Sequence, residues 1–157
     1  MRELSGETPV PISLKSVNYV RTMPLIKHLG MADVIQMKKR AQLQGFQEIL
    51  LAGDGKIREA STANILFIKN GGLCGPEPER DSCLSGITRQ RILREAQVQG
   101  LTFENTMPVH LTDLPQMQGA FLTNATRGIT PVARVDDVTF PWPDSAWEIV
   151  NSLAGCL

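Results

Sequence analysis

Gly45-Phe46-Gln47-Glu48-Ile49-Leu50-Leu51-Ala52-Gly53-Asp54-Gly55-Lys56-Ile57-Arg58-Glu59, continued by Ala60-Ser61-Thr62-Ala63-Asn64-Ile65-Leu66-Phe67, is the stretch whose reading decides the fold. The apolar run Ile49 to Ala52 has strand length, and Gly53-Asp54-Gly55 supplies residues that tolerate the left-handed backbone of a tight hairpin turn. A second strand then delivers Glu59 at its end. Ile65 to Ile68 reads as a further strand, with Asn70-Gly71-Gly72 as the next turn signal.

Working outward, residues 31–44 predict a helix whose mostly apolar side carries Val34, Ile35, Met37, Ala41 and Leu43, and Gly45 stops it. Before it, Ile12 to Leu25 reads as a strand pair or a strand plus loop, preceded by a polar leader containing Pro9 and Pro11. After it come a helix from Ile87 to Gln99 stopped by Gly100, an extended stretch over 101–110, and a helix start at Leu111-Thr112-Asp113-Leu114-Pro115. Gly119 to Asn124 is a strand. Val132 to Val135 and the Asp136-Asp137 turn lead to a closing strand, and Ser145 to Leu153 is a final helix. Strands and helices do not alternate regularly, so the pattern predicts an α+β fold and not a doubly wound sheet.

Composition narrows the function classes. The 157 residues suit one domain, and the net charge of zero with acids and bases interspersed offers no basic face for nucleic acid. Apolar runs such as Ile49-Leu50-Leu51-Ala52 fall far short of the roughly 20 residues that span a membrane. Met1 to Gly6 lacks the apolar core of a signal peptide. Cytoplasm is therefore the expected location. Cys74, Cys83 and Cys156 have no metal-ligand spacing and are expected as reduced thiols, although Cys74 and Cys83 bracket the loop Gly75-Pro76-Glu77-Pro78-Glu79-Arg80-Asp81-Ser82. His28 and His110 are too few and too scattered to bind a metal. His28, beside Lys27, either lines a site or packs as an ordinary histidine.

Lys27, in Ile26-Lys27-His28-Leu29-Gly30, and Glu59 are candidates for an amine and an acid serving one cofactor. A lysine that bonds pyridoxal phosphate needs an acid across the ring, which keeps the pyridine nitrogen protonated so that the ring accepts electrons. Two downstream stretches supply the rest of such a site. Leu84-Ser85-Gly86-Ile87-Thr88-Arg89-Gln90-Arg91-Ile92-Leu93 is a glycine turn opening into an amphipathic helix, whose free N–H groups and dipole favour an anion. Phe121-Leu122-Thr123-Asn124-Ala125-Thr126-Arg127-Gly128-Ile129-Thr130-Pro131-Val132 is an apolar run entering a small polar loop. Taken singly, Glu59 reads as an exposed strand-end carboxylate, Thr88 as a helix N-terminal residue and Asn124 as a turn former.

In this order the four stretches resemble the class IV aminotransferases, fold type IV of the pyridoxal-phosphate enzymes, which include branched-chain and D-amino acid aminotransferases and aminodeoxychorismate lyases. The resemblance covers residues 20–135. It runs from a lysine through a glycine-stopped helix to a Glu-Gly/Ala-Ser-x-x-Asn-Ile/Leu-Phe motif, then Leu-x-Gly-Ile-Thr-Arg and a Thr/Asn-rich loop before Pro-Val. Lys15 is the rival lysine, because Lys-Ser-x-Asn-Tyr is a local signature in many relatives. From Lys15 the helix would need an insertion that Lys27 does not, so Lys15 is expected as a surface lysine on a half-buried strand.

The resemblance implies the C-terminal cofactor domain of such an enzyme over residues 1–157, a mixed sheet or pseudo-barrel with packed helices, the usual N-terminal domain being absent. It implies pyridoxal 5′-phosphate held by Lys27, the catalytic base. Glu59 would meet the pyridinium, Leu84 the ring face, and Gly86, Ile87 and Thr88 the phosphate, flanked by Asn124 and Ala125; no residue binds metal. An amino acid or other amino-group substrate, a homodimer, and transamination or an aminodeoxychorismate-type lyase reaction follow. Asn124-Ala125, where branched-chain enzymes have Gly-Thr, resembles the lyase side; Met31 and Ala32 stand where many relatives have a tyrosine. The alternative is a truncated or degenerate homologue without turnover, serving as a cofactor-binding or interaction subunit.

Overall fold

The computed structural model describes residues 10–26, 31–155 and 157. Lys27, His28, Cys156 and nearly all of the polar leader lie outside the described residues. The strands are β1 (Ile12–Asn18), β2 (Glu48–Gly53), β3 (Lys56–Ala60), β4 (Asn64–Lys69), β5 (Gly72–Cys74), β6 (Phe103–Glu104), β7 (Gly119–Asn124), β8 (Gly128–Val135) and β9 (Val138–Thr139). The α-helices are α1 (Ala32–Leu43), α2 (Pro78–Asp81), α3 (Ile87–Val98) and α4 (Asp144–Ala154), with a 3-10 helix at Leu111–Gln116.

The hairpin forms as its sequence dictates. Asp54 and Gly55 both take positive φ, 52° and 76°, the mirror-image turn whose twist matches two antiparallel strands. Asn70 and Gly71 repeat it between β4 and β5. Among the described residues the strands form one sheet in the order β3-β2-β1-β8-β7-β4-β5-β6, with β9 on β8. β1 runs parallel to both β2 and β8, whereas β2–β3, β4–β7 and β7–β8 are antiparallel. β3 stands at one end of this order, yet only Ser61–Ala63 separates it from β4, and the Ala60 N–H donates to the Ala63 carbonyl at 2.8 Å. The strands from β3 round to β4 therefore curl toward closure, the mixed pseudo-barrel expected for an α+β chain.

Inside the curl lie Leu14, Leu50, Ile57, Phe67, Leu122 and Val132. Helix α1 covers the outer face of β2 through Val34 and Ala41 against Ile49 and Leu51. Helices α3 and α4 cover β4 and β7, with Ile92 and Leu153 against Leu66 and Phe121. β2 is thus covered on both faces, which is why Glu48–Gly53 is buried throughout and reads as a continuous apolar run instead of an alternating one.

Some expectations need correction. Ile35 and Leu43 do not belong to the packed side of α1, since the buried stripe follows Val34, Met37 and Ala41 and leaves Leu43 89% exposed. Ile12 to Leu25 needs no correction and takes the second of its two expected forms, one strand followed by a loop. The stretch 101–110 is a strand only at Phe103–Glu104, with an isolated antiparallel bridge from His110 to Lys56. The Pro-rich loop contains helix α2, started by Pro78 and held by Asp81, whose carboxylate accepts the Glu77 N–H and two Arg80 N–H groups. Cys74 and Cys83, by contrast, are free thiols as expected, and both are buried.

Candidate active site

The placement of Glu59 rests on a β-bulge. Leu50 pairs with Ala60 and Leu51 with Glu59, but Ala52 pairs with Ile57, so Arg58 is an extra residue on β3. Side chains alternate along a strand, and without the bulge Glu59 would share the inward face of Ile57, inside the apolar curl. With it, Ile57 and Ala60 both point inward while Glu59 turns to the outer face beside Leu51. There Glu59 is 3% exposed. Its Oε1 accepts a hydrogen bond from Arg21 Nη1 at 2.8 Å and its Oε2 one from the Leu84 N–H at 3.0 Å. Burial pushes the Glu59 carboxyl up from the ordinary glutamate range, and the Leu84 N–H and the Arg21 charge pull it back only in part. A solvated strand-end carboxylate is ruled out.

Leu84 links Glu59 to the next two candidate stretches. Its carbonyl accepts the Asn64 Nδ2–H at 2.6 Å, and the same carbonyl receives the Gly86 N–H at 3.0 Å. Gly86 is required by close approach, because a Cβ there would collide with Asn64 Oδ1. Gly86 caps α3 with extended backbone; the first turn contains no acid and no side-chain cap bond. Thr88 is buried beneath this helix start, while Ile87 is 76% exposed. Asn64 pairs in register with Thr123 on β7, so the second loop begins beside α3. Thr123 is 2% exposed, and its Oγ1 has no hydrogen-bond partner among the described residues.

Asn124 behaves as a turn former: its Oδ1 accepts the Thr126 and Arg127 N–H groups at 3.2 and 2.8 Å. Ala125 is exposed on the same turn. A cavity of about 520 Å³ opens on the other side of Asn124, lined also by Thr62, Glu48, Leu122 and Arg127; neither Glu59 nor Leu84 lines it. Glu48 there is paired with Lys38 at 2.6 Å. Thus Leu84 and Gly86 meet Asn64, Glu59 joins them through the Leu84 N–H and Thr88 follows in the first turn of α3, with Asn124 and Ala125 in the adjoining loop. Lys27 follows Ile26, the last residue described on that segment. Lys15 is occupied elsewhere: it lies on β1 with Nζ 2.9 Å from Asp136 Oδ1, and it is 38% exposed.

Three residues escaped the sequence reading. Arg21 gives a weak signal, an arginine just beyond an alternating strand and shortly before Pro24. Asn64 and Thr123 were visible inside the motifs but acquire meaning only through the register that sets them side by side. His110, by contrast, is engaged through its backbone N–H at Asp113, at the start of the 3-10 helix. Among the described residues no group of His, Cys, Asp and Glu could hold a metal ion, and no helix is long and apolar enough to cross a membrane.

Comparison with known proteins follows the same lines. A family model described as amino-transferase class IV matches residues 4–135. A probable branched-chain-amino-acid aminotransferase from Thermotoga maritima is 28% identical over 137 residues, covering 85% of this chain and 49% of the relative. A D-alanine aminotransferase from Listeria monocytogenes is 34% identical over 113 residues, covering 72% and 38% respectively. The PLP-bound structure of a hypothetical aminotransferase from Mycobacterium tuberculosis superposes with a TM-score of 0.83 at 18% identity, covering 93% of this chain and 55% of that one. The chain spans about half the length, or less, of the curated relatives it matches.

Proposed function

Because the chain belongs to the amino-transferase class IV family, we propose that residues 1–157 are the cofactor domain of a pyridoxal-phosphate-dependent aminotransferase acting on an amino acid. The observation that carries this reading is the buried Glu59 carboxylate held beside the uncapped start of α3. The residues present suit the cofactor. Each Glu59 oxygen receives one donor and keeps a lone pair for the pyridine N–H. The α3 start offers the Ile87 and Thr88 amides to a phosphate, the Thr88 hydroxyl lies beneath, and the unpartnered Thr123 Oγ1 sits on the neighbouring strand. Asn124 and Ala125 would flank the phosphate, and Leu84 would pack on the ring.

Bound pyridoxal phosphate would supply an electron sink for charge developing at the substrate Cα. Lys27 would hold the cofactor and, once its amine is free, take the proton from that Cα. Glu59 would keep the pyridine nitrogen protonated by remaining charged opposite it. The reading extends to a cytoplasmic homodimer. Asn124-Ala125 leaves the lyase reaction as the variant chemistry of the same site. A second reading, a cofactor-binding or interaction subunit without turnover, draws on the fact that both Glu59 oxygens are already engaged within the chain.

The deciding experiment adds pyridoxal phosphate to the purified chain, records the visible spectrum, then reduces with borohydride and maps the modified peptide. A new absorption band and an adduct on Lys27 are expected. An adduct on Lys15 overturns the lysine assignment, and the absence of band and adduct overturns the cofactor reading. Cofactor uptake without any half-reaction favours the second reading.

A further inference from the structure

We infer that Arg21 is a positioning residue that ties the segment leading into Lys27 to the carboxylate of Glu59. The inference rests on the assignment of those two residues above, and goes beyond it by naming what holds the chain up to Ile26 against that acid. Between Tyr19 and Ile26 the chain is irregular, Met23 takes a positive φ of 49°, and Val20, Met23, Leu25 and Ile26 are all exposed. Arg21 is the one buried residue of that stretch. Beyond Tyr19, the Arg21 guanidinium is therefore the buried anchor of the segment.

The geometry of that anchor is two-pronged. Nη1 donates to Glu59 Oε1 at 2.8 Å, and Nη2 donates to the Ile26 carbonyl, immediately before Lys27, at 3.4 Å. A guanidinium is planar and rigid, so one group sets both distances together, which a lysine ammonium on a flexible stem does not. Its Nε is buried and unpartnered, a cost that the two Nη contacts offset. Among the described residues, the Cys83 thiol also lies close to Glu59; it is pushed up to about 12 by burial and by the Glu59 charge, so it stays neutral. Lys38, the cation near Ser61, is committed to Glu48. Among the described residues, Arg21 is thus the positive charge that faces the acid.

The test uses the whole chain with Arg21→Met and Arg21→Lys. Without cofactor, amide hydrogen exchange of peptides covering residues 22–26 should accelerate about tenfold in both variants, the scale of a charge-assisted hydrogen bond removed from a local opening. The Glu59 carboxyl, followed by carbon NMR and assigned by its loss in Glu59→Gln, should titrate at higher pH in Arg21→Met. It should stay close to wild type in Arg21→Lys, which keeps the charge and loses the fork. With pyridoxal phosphate, borohydride-fixed label on Lys27 should fall about tenfold in Arg21→Met and recover in part in Arg21→Lys. If wild type takes no label, the cofactor reading fails while exchange and titration still decide the role of Arg21. Should Arg21→Met not fold, unchanged exchange at 22–26 in Arg21→Lys refutes the strap. So do wild-type exchange and titration in a folded Arg21→Met.

Discussion

At the scale of single residues, the site depends on charges kept in a dry place. Lys27→Ala should abolish the borohydride-stable label, whereas Lys15→Ala should leave it, because the Lys15 ammonium is committed to Asp136; peptide mapping distinguishes the two. Glu59→Gln removes the charge opposite the pyridine nitrogen, and single-turnover rates should drop by about a hundredfold or more, the scale of losing a key electrostatic group. The same substitution has a stability signature. Glu59 has a folded-state pKa above its unfolded value, so between the two the native chain binds more protons and stability falls as pH rises. Denaturation midpoints measured from acid to neutral pH should therefore fall more for wild type than for Glu59→Gln as pH climbs past the ordinary glutamate range. Parallel curves would mean that Glu59 titrates as a solvated group.

At the scale of elements, two short pieces carry most of the leverage. Gly86→Ala would drive a Cβ into Asn64, break the Asn64–Leu84 bond and tilt the start of α3. It should cost about 1 kcal/mol of stability and weaken pyridoxal phosphate binding about tenfold, read by thermal unfolding and by absorption titration. Helix α2 depends on Asp81. Burial raises the Asp81 carboxyl, but the bonds from Arg80, the Glu77 N–H and the Arg80 and Arg58 charges outweigh burial and leave it lowered. A lowered folded-state pKa contributes stability that is present above the unfolded value and is lost as pH falls through the folded one. Asp81→Asn should accordingly cost about 1–3 kcal/mol at neutral pH and much less in acid. Elements with strong local chemistry were legible in the sequence: the Gly53-Asp54-Gly55 hairpin, the glycine stops at Gly45 and Gly100, and the α3 start. Those made by distant partners were not. Nothing local to Leu51 or Glu59 announces a bulge, Asp81 has no meaning without Arg80 and the Glu77 N–H, and Arg21 gains its role only across the fold from Glu59.

At the scale of the whole molecule, the chain presents an apolar fringe around its site. Val20, Met23, Leu25 and Ile26 on one segment and Ile87 at the start of α3 are exposed on the segments that bear Arg21 and follow Leu84. We expect these 157 residues, which span about half the length or less of the curated relatives, to bind pyridoxal phosphate more weakly than a full-length relative, with little turnover of branched-chain amino acids, D-alanine or aminodeoxychorismate. Fusion or co-expression with the part of a relative that these residues do not cover should raise affinity if that part closes over the site and dries it. Robust turnover by the 157 residues alone would show that a second copy or the leader already completes the pocket. The extra residue on β3 has a further consequence for how this chain can vary. Whether the acid faces the cofactor side or the apolar interior is a matter of parity, odd or even, in the count between the Gly53-Asp54-Gly55 turn and Glu59. Substitutions preserve parity and deletions reverse it. Along that stretch a tolerant history of amino-acid exchange can therefore coexist with near-complete intolerance of a one-codon deletion, and a deletion scan would separate residues that matter by identity from those that matter by being counted.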